Sequence, residues 1–119
     1  MTSRSIKRGE IWWLDWSPGR GSEQAGERPA LVIQNDVGNQ FSPTTIVAAI
    51  TTSAQRRYPF IVPLSASVSG LPRDSSVNAS QILTVDKSRL RRIAGRIDGD
   101  TRAEVDRAIM VSLGLGIES

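Results

Sequence analysis

Hydrophobic and polar positions alternate with a period of two through most of this chain and switch to a helical period only near its end. The run from Glu10 to Trp16 (EIWWLDW) is aromatic and aliphatic and is followed by the turn-rich SPGRG, which predicts a first strand. Alternation puts Trp12, Leu14 and Trp16 on one face of it and Ile11 and Trp13 on the other. A second strand reads from Arg28 to Gln34 (RPALVIQ). Pro29 has no amide donor, so it is expected at the strand start or on an edge. A third strand runs from Thr44 to Thr52 (TTIVAAITT) and a fourth from Arg57 to Leu64 (RYPFIVPL), whose two prolines favour an edge. Ser75 to Asn78, Gln81 to Val85 and Arg91 to Ile97 read as further short strands. The period then changes. Thr101-x-x-Glu104 has the form of a capping box, and Val105, Ala108, Ile109, Ser112 and Leu113 share one helical face. Gly114 and Gly116 are expected to fray the last turn.

Short strands separated by turns and followed by one amphipathic helix predict a mainly β, α+β fold: a small antiparallel barrel closed or plugged by that helix. The length of 119 residues suits a single domain over 1–119. Between Ser17 and Glu27 three glycines and a proline break any regular pattern. That loop is long for a hairpin, and long loops on small scaffolds carry binding residues.

Composition narrows the chemistry. Cysteine and histidine are both absent, which removes disulfides, thiolate nucleophiles, histidine-based triads and zinc sites with nitrogen or sulfur ligands. Catalysis would rest on Arg, Lys, Asp, Glu, Ser, Thr or Tyr, with no cofactor and no metal expected. No apolar run approaches the roughly 18 residues of a membrane span, and MTSRSIKRGE lacks a signal-peptide core. A soluble, cytoplasmic protein without a membrane partner is expected. The net charge of +3 is uneven: residues 1–97 hold 13 basic and 7 acidic side chains, and residues 98–119 hold 2 and 5. Arginine supplies 13 of the 15 basic residues, and its planar fork suits phosphate. Nucleic acid is the leading partner class, although a mild basic excess also serves solubility alone.

The segments RGEIWWLDWSP, GSEQAGERPALVIQND, FSPTTIVAAIT, YPFIVPLS and QILTVDKSRL, in this order, resemble the MazF/PemK toxins over nearly the whole chain. GSEQAGERPALVIQND followed by VAAIT is the specific pair. The resemblance implies an SH3-like barrel of the CcdB/PemK kind, a homodimer, and sequence-specific cleavage of single-stranded mRNA. It also implies neutralisation by a cognate antitoxin through an acidic segment, with DNA contacted only through that antitoxin. Ser80 and Leu83 depart from the family pattern, where these positions are often acidic and basic respectively, so the RNA sequence cleaved cannot be carried over from a relative.

RNA supplies its own nucleophile, the 2′-OH, so an enzyme need only help remove a proton, stabilise the phosphoryl oxygens and assist the leaving 5′-oxygen. Arg28 matches the family's catalytic arginine and could grip the developing charge; as a plain surface residue it would pair with Glu27 or Asp36. Thr51 corresponds to the family's second catalytic residue and could donate to a phosphate oxygen; otherwise it is only a good strand former. Glu23 could accept the 2′-OH proton or merely orient Arg28. Arginine stays protonated, so Arg28 is the electrophile rather than the base. Arg56, Arg57 and Tyr58 combine two cations with an aromatic ring, suited to backbone contact and base stacking. Ser22, Gln24 and Gln81 complete the candidate RNA contacts. The three tryptophans read as core or dimer packing rather than a stacking platform. Two other functions fit the same scaffold: a non-catalytic, CcdB-like inhibitor of a protein target such as gyrase, and an RNA-binding barrel without turnover.

Overall fold

The structure, a computed structural model, describes residues 5–16, 26–52 and 58–116. Six strands form one antiparallel sheet: β1 (Glu10–Asp15), β2 (Glu27–Val32), β3 (Thr44–Thr51), β4 (Ile61–Leu64), β5 (Ser75–Asp86) and β6 (Leu90–Arg96). Their spatial order is β4-β5-β3-β2-β1-β6. Among the described residues three α-helices, α1 (Asp36–Phe41), α2 (Ala66–Ser69) and α3 (Gly99–Leu113), and a 3-10 turn at Lys87–Arg89 accompany them.

Both sheet faces are apolar. Ile11, Leu31, Ala48, Ile50, Val62, Val77 and Ala79 form one core with Val105 and Ala108 of α3. Ile6, Trp12, Leu14, Ala30, Val32, Val47, Val85 and Leu90 form the other. The predicted alternation in β1 holds, since Ile11 and Trp13 belong to the first core while Trp12, Leu14 and Trp16 belong to the second.

The expected barrel is curled but not closed, because β4 and β6 end the strand order without pairing to each other. The α2 turn, which follows β4, abuts β6 instead. Gly70 ends α2 in the left-handed region at φ +80°, and a Cβ there would collide with the Ala94 carbonyl; a Cβ on Gly95 would collide with the Ser69 carbonyl. Two glycines facing each other permit this contact between backbones.

Several sequence expectations need correction. The fourth strand begins at Ile61 rather than Arg57, after a turn in which the Ile61 amide donates to the Tyr58 carbonyl (3.0 Å). It does lie on an edge, as its prolines require. Pro29 is in an interior strand, but it pairs only with Trp13 of β1, and pairing with β3 begins at Ala30. Its missing donor therefore costs no ladder bond on that side. The second strand ends at Val32, because the Ile33 and Gln34 amides both turn to the Ile46 carbonyl.

The predicted fragments 75–78 and 81–85 are one twelve-residue strand. Asn78 pairs with Ala49 and Ile82 with Ala48, leaving Ala79, Ser80 and Gln81 without counterparts on β3. An odd insertion shifts the phase of the alternation. Val77 and Ala79 accordingly enter the first core, whereas Leu83 and Val85 join the second.

The cap of α3 is Asp98, not Thr101: its Oδ1 accepts from the Thr101 amide (2.8 Å). The helix ends at Gly114, which takes φ +69° and donates to the Met110 and Val111 carbonyls. That glycine caps the last turn rather than fraying it. The buried stripe is narrower than expected. Leu113 is 57% exposed because at 100° per residue it sits about 110° from the line through Val105 and Ala108. The six-residue α1 had no helical signature in the sequence. Asn35 caps it by accepting from the Gly38 amide (2.7 Å), and Asn39 anchors it through buried bonds with Gln34 and Thr45.

Gly95→Ala is expected to cost about 1–3 kcal/mol by forcing α2 off β6. Urea denaturation tests this, and an unchanged midpoint would contradict the backbone contact. The amide and hydroxyl of Thr101 hold the Asp98 carboxyl below its ordinary value of 3.8. A depressed folded-state pKa gives stability that is complete above the ordinary value and lost as pH falls through the folded one. The difference in melting temperature between the wild type and Asp98→Ala should therefore be full at neutral pH and shrink below pH 3.8.

Candidate active site

Arg28 and Thr51 lie on neighbouring strands at the same end of the sheet. Pairing of β2 with β3 runs from Val32↔Val47 to Ala30↔Ala49, and each of the two residues lies two positions beyond that last pair. Arg28 alternates with Ala30 and Val32, and Thr51 with Ala49 and Val47, so both side chains belong to the face of the second core. Arg28 is exposed and Thr51 half-buried. On the other side of β2, Arg28 pairs with Leu14. The two acids named as its surface partners are engaged by other groups. Glu27 forms an ion pair with Arg92, whose guanidinium lies over the Trp13 ring (5.1 Å). Asp36 accepts from the Arg8 amide (2.7 Å) and from Asn39 (3.2 Å), and these bonds, the amide first, hold its carboxyl below the ordinary range.

Beside this pair lies a groove of about 360 Å³ lined by Trp16, Ala49, Ser80, Gln81, Ile82 and Leu83. The β5 bulge builds one wall. The Asn78 carboxamide oxygen accepts from both the amide (2.9 Å) and the hydroxyl (2.6 Å) of Ser80, pinning the inserted residues. Trp16 builds another wall, its indole N–H donating to the Arg28 carbonyl (3.2 Å). A larger hollow of about 420 Å³ beside α1, lined by Ser5, Lys7, Asp36 and Gln40 among others, contains none of the candidate residues.

Gln81 is exposed within the bulge, and Tyr58 is exposed with its ring stacked on Phe60 (centroids 5.2 Å apart). One face of that tyrosine is thus already covered. Ser22, Glu23, Gln24, Arg56 and Arg57 lie outside the described residues. Among the described residues no group of three or more acidic side chains could hold a metal ion. Sequence reasoning missed Asn78, an uncharged residue in a strand, and assigned Trp16 to packing alone. An Asn two residues before a Ser in a strand that the alternation breaks in two was the available signal.

A profile of PemK-like, MazF-like toxins of type II toxin–antitoxin systems matches residues 7–113. The chain belongs to this family. Endoribonuclease EndoA of Bacillus subtilis is 48% identical over 111 residues, covering 92% of this chain and 96% of that protein. Among solved structures, a MazE–MazF complex from Deinococcus radiodurans superposes with a TM-score of 0.80 at 30% identity, covering 96% of this chain and 100% of that one. An endoribonuclease in complex with its cognate antitoxin, from a mycobacterial species, gives 0.80 at 25% identity, with coverage of 95% and 99%. Membership in the PemK/MazF family favours the nuclease over the CcdB-like inhibitor.

Asn78→Ala should lower stability by about 1 kcal/mol, the net worth of an ordinary hydrogen-bonded link, and deprotect the Ser80 amide. Hydrogen exchange resolved at Ser80 measures this, and unchanged protection would mean that the bulge holds itself.

Proposed function

We propose that this chain is the endoribonuclease toxin of a type II toxin–antitoxin pair, cutting single-stranded RNA at a short sequence without a metal ion. The observation that carries the reading is that Arg28 and Thr51 each lie two residues beyond the Ala30–Ala49 pair, with the alternation that places them on one sheet face, near a groove lined by Trp16, Ala49 and Gln81. The 48% identity to a protein named as an endoribonuclease supports it.

In this mechanism the 2′-oxygen attacks the adjacent phosphorus while its proton passes to a base, a role for which Glu23 is the candidate. Arg28 neutralises charge on the phosphoryl oxygens, and the Thr51 hydroxyl donates to one of them. The bond from phosphorus to the 5′-oxygen breaks, leaving a 2′,3′-cyclic phosphate and, after protonation, a 5′-OH. Ser22, Gln24, Arg56, Arg57, Tyr58 and Gln81 serve as RNA contacts. The protein acts as one domain and as a homodimer, symmetric dimers being the commonest oligomers. Its inhibitor is a protein with an acidic segment, in keeping with the basic excess of residues 1–97 and with solved relatives in complex with antitoxins. No helix among the described residues is long and apolar enough to cross a membrane, which accords with action in the cytoplasm.

The test uses an oligonucleotide containing the preferred sequence, in EDTA. Cleavage should persist and yield a cyclic phosphate and a 5′-OH. A single 2′-deoxy substitution before the scissile phosphate should stop cleavage at that site, and Arg28→Ala should abolish turnover while changing stability by no more than ~0.5 kcal/mol. Normal cleavage of the deoxy substrate would make water the nucleophile and remove this mechanism.

A further inference from the structure

We infer that Arg91 and Arg92 are positioning residues for the proposed cleavage: together they hold Asp15 and Glu27, two carboxylates that face each other across β1 and β2, and so fix the strand end that carries Arg28. The inference rests on the nuclease reading above and adds to it residues that act at a distance from the substrate. Asp15 and Glu27 form the last pair in the register of β1 with β2. Opposed residues of an antiparallel pair have their Cβ atoms about 5 Å apart on one face, where like charges repel. Alternation puts both carboxylates on the face of the first core, with Trp13 and Leu31.

Two arginines of β6 offset that repulsion. Arg91 Nη2 lies 2.8 Å from Asp15 Oδ2. Arg92 reaches across β1 to pair with Glu27 on β2, its guanidinium lying over the Trp13 ring on the way. Consecutive residues of a regular strand point to opposite faces, so a break in β6 is needed for both to serve one face. Arg92 pairs with Trp13 and Leu90 with Leu14, which leaves Arg91 without a counterpart on β1. That extra residue interrupts the alternation and supplies the break.

The cluster combines two cations with two anions, so it adds no net charge to attract RNA. It also occupies the sheet face opposite to Arg28 and Thr51, which alternate with residues of the second core. Its contribution to the reaction is therefore mechanical. Just beyond the opposed acids, the Trp16 amide donates to the Gly26 carbonyl (3.3 Å) and the Trp16 indole to the Arg28 carbonyl (3.2 Å). Splaying of Asp15 from Glu27 would break these bonds first, and Arg28, the residue after Glu27, would move with them. A displacement of about 1 Å costs up to roughly 100-fold in rate, whereas exposed ion pairs add little to global stability.

The test separates repulsion between the acids from loss of the cations. Three full-length chains are compared, with melting temperatures recorded: the wild type, Arg91→Ala/Arg92→Ala, and that double variant with Asp15→Asn and Glu27→Gln added. Each is assayed on an oligonucleotide containing the preferred sequence, and hydrogen exchange of the Trp16 amide is followed without substrate. The double variant should melt close to the wild type, lose roughly 10- to 100-fold in kcat with KM within about threefold, and exchange the Trp16 amide about tenfold faster. Adding the two acid substitutions should return kcat and protection to within about threefold of the wild type. Unchanged kcat or unchanged Trp16 protection in the double variant, or losses that the acid substitutions do not restore, overturns the inference. So does a loss confined to KM with the salt slope of binding reduced by about 0.7 per arginine, which would make Arg91 and Arg92 phosphate contacts. A wild type that cuts no RNA sinks the nuclease reading instead, and the Trp16 exchange then still decides whether the arginines hold the strand end.

Discussion

A strand with a strict period of two can feed only one apolar layer on each side of it, and β5 has to serve two cores in succession. Val77 and Ala79 belong with the layer under α3, and Leu83 and Val85 with the layer around Trp12. All four are odd-numbered, so an uninterrupted strand would send them to the same side. The three inserted residues Ala79, Ser80 and Gln81 resolve the conflict by reversing the phase. The Asn78 carboxamide, bonded twice to Ser80, replaces the ladder bonds that the insertion forfeits. The rest of the sheet depends on that reversal, because β3 pairs with β5 on both sides of the bulge.

The same device shapes the surface. Of the three residues that leave the ladder, Ala79 turns into the first core while Ser80 and Gln81 line the groove. Bulges concentrate near functional sites for this reason: they aim side chains in directions a regular strand does not offer. The position of the groove thus follows from a packing requirement several residues away.

Where one period dominated, the sequence was legible. Alternation in EIWWLDW assigned each tryptophan to its core, the two prolines of RYPFIVPL marked an edge, and Val105 and Ala108 marked the buried side of α3. Where two signals competed, it was not. The broken alternation around Ala79 read as a gap between strands, since a phase change and a turn look alike without the partner strand. The six residues of α1 are too few to display a helical period, and the buried bonds of Asn39 that hold it are tertiary. Asp98 and Thr101 are both competent caps, and the carboxylate, three residues earlier, took the role. At the site, Arg28 and Thr51 stood out through their motif, whereas Asn78 acquires its role from the insertion that only the pairing with β3 reveals, and Trp16 from the Arg28 carbonyl twelve residues on.

The register of β3 against β2, which sets where Thr51 and Arg28 stand, is fixed by core residues of β3. On β3, Ala48 and Ile50 face the first core and Val47 the second. A slip of one residue against β2 would turn Ala48 and Ile50 away from their layer and drive Val47 into it. The same slip would carry Thr51 to the opposite face and present Ile50 or Thr52 to Arg28. Burying several aliphatic side chains is worth more than any single polar contact at the surface, so the core enforces the register on which the proposed roles of Arg28 and Thr51 rest. Arg28 is exposed, and its position along β2 follows from that register.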